Sequence, residues 1–204
     1  MTGPLRSTLV ALAAGALLLT GCGSDGGDDE AATTTAPAET TTTVDANAEF
    51  ASAFNDACAA GDAAATAASA DFDAAITALG EATQAQDDAA YATALDEAET
   101  AVEGIIAALE DFDTTVAGLD VPTDLTQPVN DYLEAMGTQL ALAEQLRLAI
   151  VADDGDAFNE TGEQIQQAEA ATDPVRTEAA ETIGAPDCVP DDAEGATTDT
   201  TTGK

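Results

Sequence analysis

Between residues 50 and 183, large apolar side chains and small residues standing in for them recur every three or four positions. That interval follows the 3.6-residue turn of an amphipathic α-helix. One stripe runs Phe50, Phe54, Cys58, Gly61, Ala65, Ala68, Phe72, Ile76, Leu79. A second runs Tyr91, Leu95, Ala98, Val102, Ile105, Leu109, Phe112, Val116, Leu119; its alternating steps of four and three form a bundle or coiled-coil seam. A third holds Leu125, Val129, Tyr132, Met136, Leu140, Ala143, Leu146, Ile150. A fourth holds Phe158, Thr161, Ile165, Ala168, Thr172, Val175, Ala179, Ile183. No stretch alternates with a period of two for long enough to make a strand.

The interruptions fall between the stripes. Gly80 to Asp88 separates the first two, with Asp87 or Asp88 suited to cap the second helix. Val121-Pro122-Thr123-Asp124 separates the second and third, and Pro128 falls in a first helical turn, where proline is tolerated. Asp153-Asp154-Gly155-Asp156 separates the third and fourth. Asp173-Pro174 lies inside the fourth stripe and predicts a kink or a restart. Four helices with short connections predict an all-α fold, an up-down-up-down four-helix bundle over residues 45–189. One echo crosses the pattern: residues 71–79 (DFDAAITAL) resemble residues 111–119 (DFDTTVAGL). A third copy is absent, so the echo reads as a shared amphipathic solution or an old hairpin duplication rather than a solenoid.

The flanks differ from the body. Residues 22–44 and 190–204 are dominated by Thr, Asp, Gly and Ala, and read as a disordered tether and a disordered tail. The first 21 residues differ again. Arg6 supplies a short positive start, and an apolar run extends from Leu9 to Leu19. The run is shorter than the roughly 20 residues that span a bilayer and fits the apolar region of a secretory signal peptide. It ends in Leu19-Thr20-Gly21-Cys22. This resembles the bacterial lipobox, an aliphatic residue and two small ones before a cysteine. The resemblance implies cleavage after Gly21 and a diacylglycerol on the sulfur of Cys22. Two or more acyl chains hold a protein stably at a membrane, whereas one gives marginal binding.

Charge narrows the possible roles. Forty acids face four Lys and Arg, a formal charge of −36. Removing residues 1–21 takes away Arg6 and no acid, leaving the mature chain one unit more negative. No basic patch can be assembled, which excludes nucleic-acid binding. An anionic lipid surface repels such a domain, so attachment falls to the lipid. Beyond Cys22, the cysteines are Cys58 and Cys188. In an oxidising compartment outside the cytoplasm an even pair reads as a disulfide. The bundle order brings the start of the first helix and the end of the fourth to one end, within reach of that bridge. The rival reading, free reactive thiols, lacks a histidine or nearby basic residues to lower a thiol pKa.

Catalytic chemistry finds little material. Without histidine there is no Ser-His-Asp or Cys-His pair and no histidine-based metal site. There is no tryptophan, and Tyr91 and Tyr132 both fall on core stripes, so a sugar-stacking cleft is hard to build. The expectation is no enzyme, no cofactor and no metal. Asp153, Asp154 and Asp156 with Asn159 and Glu160 form an oxygen-rich cluster, but the spacing is not that of a calcium loop. It reads as a turn before an acidic helix start. Asp96, Glu99, Glu103, Glu110 and Asp113 line one side of the second helix, mildly repelling one another unless neutralised. The small residues from Gly61 to Ala70 permit either close helix packing, the simpler outcome, or a groove.

The lipobox, the Thr- and Asp-rich tether and the ending Ile183-Gly184-Ala185-Pro186-Asp187-Cys188 resemble the small helical lipoproteins of high-GC Gram-positive bacteria. That resemblance implies a lipid-anchored protein on the extracytoplasmic face of the cell membrane. Its acidic helical domain is expected to act as a binding or structural module toward another cell-envelope protein. The alternative is a carrier of a small apolar ligand in an interhelical groove.

Overall fold

Asp45 opens the first helix, its carboxylate accepting the N–H of Asn47. The computed structural model describes residues 45–190; the proposed signal peptide, the Cys22 anchor, the tether and all but the first residue of the tail lie outside the described residues. Four helices follow in order: α1 (Ala46–Ala85), α2 (Asp88–Ala117), α3 (Thr126–Val151) and α4 (Gly155–Ile183). A short 3₁₀ turn, Pro186–Cys188, closes the sequence, and no strand occurs among the described residues.

α1 passes straight through Gly80 and ends only at Ala85, so the break expected from Gly80 is shorter than its composition implied. An interior glycine costs a helix about 1 kcal/mol. Buried Leu79 and Ala82 flank it and keep the helix seated. Gln86 then takes a left-handed φ of 56°, and Asp87 caps α2 by accepting the N–H groups of Ala89 and Ala90. Asp154 does the same for α4 through Asp156 and Ala157, after Asp153 turns the chain at φ 49°.

α4 remains one helix through Pro174, with no restart. Proline removes an N–H and frees the carbonyl four residues earlier. Ala170 and Pro174 both lie on the solvent side, where water can take the freed group. The inward face does shift beyond this point. Val175, expected in the core, is 43% exposed, and Arg176 turns inward instead.

The core has two nodes. One gathers Phe50, Phe54 and Cys58 from the start of α1, Phe112 and Val116 from the end of α2, Val129 and Tyr132 from the start of α3, and Ala179, Ala180 and Ile183 from the end of α4. The other gathers Leu79 and Ala82, Tyr91 and Ala94, Leu146 and Ile150, and Phe158, from the opposite ends of the same helices. The ends sort as an up-down-up-down course would sort them. The sequence echo gains a meaning here: Phe72, Ile76 and Leu79 feed one node, and Phe112, Val116 and Leu119 feed the other.

Packing is uneven around the bundle. α1 lies closely along α2 and α3 along α4, whereas direct approach of α1 to α4 is slight. The α1–α2 contact uses buried alanines seven apart: Ala68, Ala75 and Ala82 on one helix, Ala94, Ala101 and Ala108 on the other. Such spacing keeps one narrow face in register over several turns. A methyl group placed on Gly104 would stand 3.1 Å from the Cβ of Ala68. At Ala68 the small residues of α1 therefore allow the two helices to approach closely.

Candidate functional site

The end of the bundle from which both chain termini leave is the more elaborately built. Gly184 ends α4 in the left-handed region at φ 85°, and Ala185 turns the chain back by donating to the Ala180 carbonyl. Pro186 then starts the 3₁₀ turn that delivers Cys188 to α1. Cys58 and Cys188 are joined in a disulfide, their Cα atoms 5.2 Å apart across 130 residues of sequence. Both are buried. Asn55 fixes the returning segment twice: its carbonyl accepts the Asp187 N–H at 2.8 Å, and its amide donates to the Asp187 carboxylate. The 3₁₀ turn thus touches both α1 and α4 and joins two helices that otherwise make little direct contact.

Phe54, fully buried, is the hub of this node. Its ring meets Phe50 at 5.7 Å, Phe112 edge-on at 5.8 Å and Tyr132 edge-on at 5.3 Å. Tyr132 spends its hydroxyl on the Cys188 carbonyl at 3.2 Å and lies 3.7 Å from the Cys58 sulfur. Burial pushes the Tyr132 pKa above its ordinary value, against the opposing charge and hydrogen bond of Arg176 and with a small push from Asp62. The Arg176 guanidinium lies 5.6 Å from the centre of the Tyr132 ring and 3.5 Å from the Asp173 carboxylate. Tyr132 is therefore a structural residue, with its hydroxyl committed inward.

The acidic candidates fare differently from one another. In the Asp153 to Glu160 cluster, Asp154 is the helix cap, Asp153 accepts the Tyr91 hydroxyl at 2.6 Å, and Asn159 donates to the Gly155 carbonyl. These groups fix a turn. Among the described residues no group of three or more Cys, Asp or Glu side chains is placed to hold a metal ion. On α2, Glu99 and Glu103 receive Arg147 of α3 at 3.1 and 3.8 Å, so the acidic stripe is partly neutralised from within the fold. Neither arginine was assigned a partner by the stripe pattern. A positional signal existed for Arg147, which follows the buried stripe residue Leu146 by one place on the flank of an inward face; Arg176 follows Val175, which is exposed, and carried no such signal.

Between α1 and α2 lies an open groove of about 470 Å³. Ala68, Ala75, Ala101 and Gly104 line it, together with the carboxylates Asp71, Asp96 and Glu97. It is open to solvent and acidic, unlike an enclosed apolar chamber. Cys22, the residue predicted to carry the lipid, lies outside the described residues. Comparison with protein-family models, with curated proteins and with solved structures found no match to this chain.

Proposed function

We propose that this chain is a cell-envelope lipoprotein, cleaved after Gly21 and held by a lipid on Cys22 at the extracytoplasmic face of the cell membrane. Its acidic helical domain acts there as a binding or structural module toward another envelope protein. The observation that carries the reading is Leu19-Thr20-Gly21-Cys22 at the end of an apolar run that is too short to span a bilayer. The buried Cys58–Cys188 disulfide supports it independently, because such bonds persist in oxidising compartments. No helix among the described residues is long and apolar enough to cross a membrane, which is compatible with attachment by a lipid. The groove between α1 and α2, open and rimmed by carboxylates, does not favour the alternative of an apolar-ligand carrier.

The test is fractionation of bacteria expressing the full chain, with metabolic labelling by a fatty-acid analogue. The parent is expected in the membrane fraction and labelled. Cys22→Ala is expected to lose the label and leave the membrane. A variant that stays membrane-bound would overturn the anchor.

A further inference from the structure

Three large apolar side chains stand exposed among the described residues: Leu148 at 57%, Val151 at 55% and Val175 at 43%. Leu148 and Val151 are three residues apart in the last turns of α3, so they share a face. Exposed Ala152 continues that face and exposed Ala141 begins it two turns earlier. The adjoining helix side packs inward through Leu146, Ala149 and Ile150, so this face is left over after the core is filled. Contiguous apolar surface on a soluble domain marks an interaction site more often than isolated exposed residues do.

The surroundings restrict what can cover it. Exposed Glu144 lies one turn before Leu148 on the same face, and exposed Asp156 and Glu160 lie at the start of α4, which packs along α3. The nearby Arg147 is engaged by Glu99 and Glu103. Once residues 1–21 are cleaved as proposed, the chain's own remaining segments are unsuited: residues 23–43 and 191–204 contain no large apolar side chain. Val44 joins the body at Asp45, at the opposite end of the bundle. A second copy would bring the same acids against these, on a chain of formal charge −36.

We propose that the end of α3 is a docking surface for a basic amphipathic segment of a partner protein, with apolar anchors on Leu148 and Val151 and Lys or Arg residues facing Glu144, Asp156 and Glu160. The chemistry of this occupant stands on the patch; that the partner belongs to the cell envelope rests on the lipoprotein reading. The test uses the whole mature chain from residue 22, kept soluble by Cys22→Ala, and a fluorescent synthetic helix of Leu and Lys at amphipathic spacing. Anisotropy is read at physiological ionic strength. The helix is expected to bind, and Leu148→Ser with Val151→Ser to weaken it at least about tenfold. Val175→Ser is expected to leave binding unchanged. Leu148→Ala with Val151→Ala, which keeps helix propensity, is expected to weaken it similarly with an unaltered circular dichroism spectrum. Equal binding by the parent and the double variants, or by a peptide with Ala in place of Leu, would overturn the proposal by showing charge attraction alone. Absence of binding to the parent would overturn it as well. Because no lipid is present, the outcome is separate from the fate of the Cys22 anchor.

Discussion

Replacing both half-cystines, Cys58→Ala with Cys188→Ala, should remove a large share of the domain's stability. The bond closes a loop with a sequence separation of 130. In the loop-entropy treatment, freeing that loop lowers the unfolded state by about 5 kcal/mol. Two further losses act on the folded side. The sulfurs fill buried space beside Phe54 and Tyr132, and the 3₁₀ turn that joins α1 to α4 loses its covalent hold. Domains of this kind have roughly 5–15 kcal/mol in total, so the variant should be marginal at room temperature. Urea unfolding followed by far-ultraviolet circular dichroism measures the effect. The midpoint should fall steeply and the slope should rise, because an uncrosslinked denatured chain exposes more surface. Reduction of the parent under mild denaturant removes the cross-link but keeps the sulfurs, so its midpoint should also fall steeply, though less far. A loss below about 1 kcal/mol would refute the reasoning, since the loop length alone demands several times that.

Glycine substitutions separate helix propensity from close packing. Gly137→Ala, in α3 with nothing within 4 Å of the added carbon, should stabilise by about 1 kcal/mol in the same urea assay. Gly104→Val, where the first added carbon already stands 3.1 Å from Ala68, should instead cost about 1–3 kcal/mol. Tyr132 makes a pH prediction. Its folded pKa is raised above 10.0, so its contribution is fully present below pH 10.0 and is lost as pH rises through the folded value. Urea midpoints of the parent should fall more steeply above pH 10.0 than those of Tyr132→Phe, and parallel curves would rule out the shift.

Much of the bundle could be read from the spacing of its apolar residues, because burial of a helix face imposes that spacing directly. The second stripe is the clearest case: Tyr91, Ala98, Val102, Phe112 and Val116 are all buried. An aspartate cap at Asp87 or Asp88, of which the fold uses Asp87, and Cys58–Cys188 as a bridge were also legible, each from a local chemical requirement. Three features were not. Alanine is apolar but common on exposed helix faces, so the paired heptads of α1 and α2 did not separate from the solvent-facing alanines around them. Pro174 is a local helix breaker, but it falls on the solvent side of α4, where water can take the carbonyl it frees, and the register change that put Val175 outside and Arg176 inside depends on tertiary context. The docking face on α3 was hidden for the opposite reason. Leu148 and Val151 lie in a stretch, Leu146 to Val151, that is apolar but for Arg147, and only the fold decides which of its members are covered.

The covalent bridge between the first and last structural elements has a consequence for turnover by proteolysis. A protease or unfoldase threading inward from the N-terminal side meets the cross-link after releasing only the start of α1, up to Ala57. From the C-terminal side it meets Cys188 immediately after Val189. A single cut in the Gln86 turn, in residues 118–125 or at Asp153 leaves two pieces still tied together, able to refold around the same aromatic hub. Release of a fragment from between the two cysteines therefore takes two cuts within the ring, or one cut and a reductant, and a molecule nicked once there will run as intact on a gel without reducing agent.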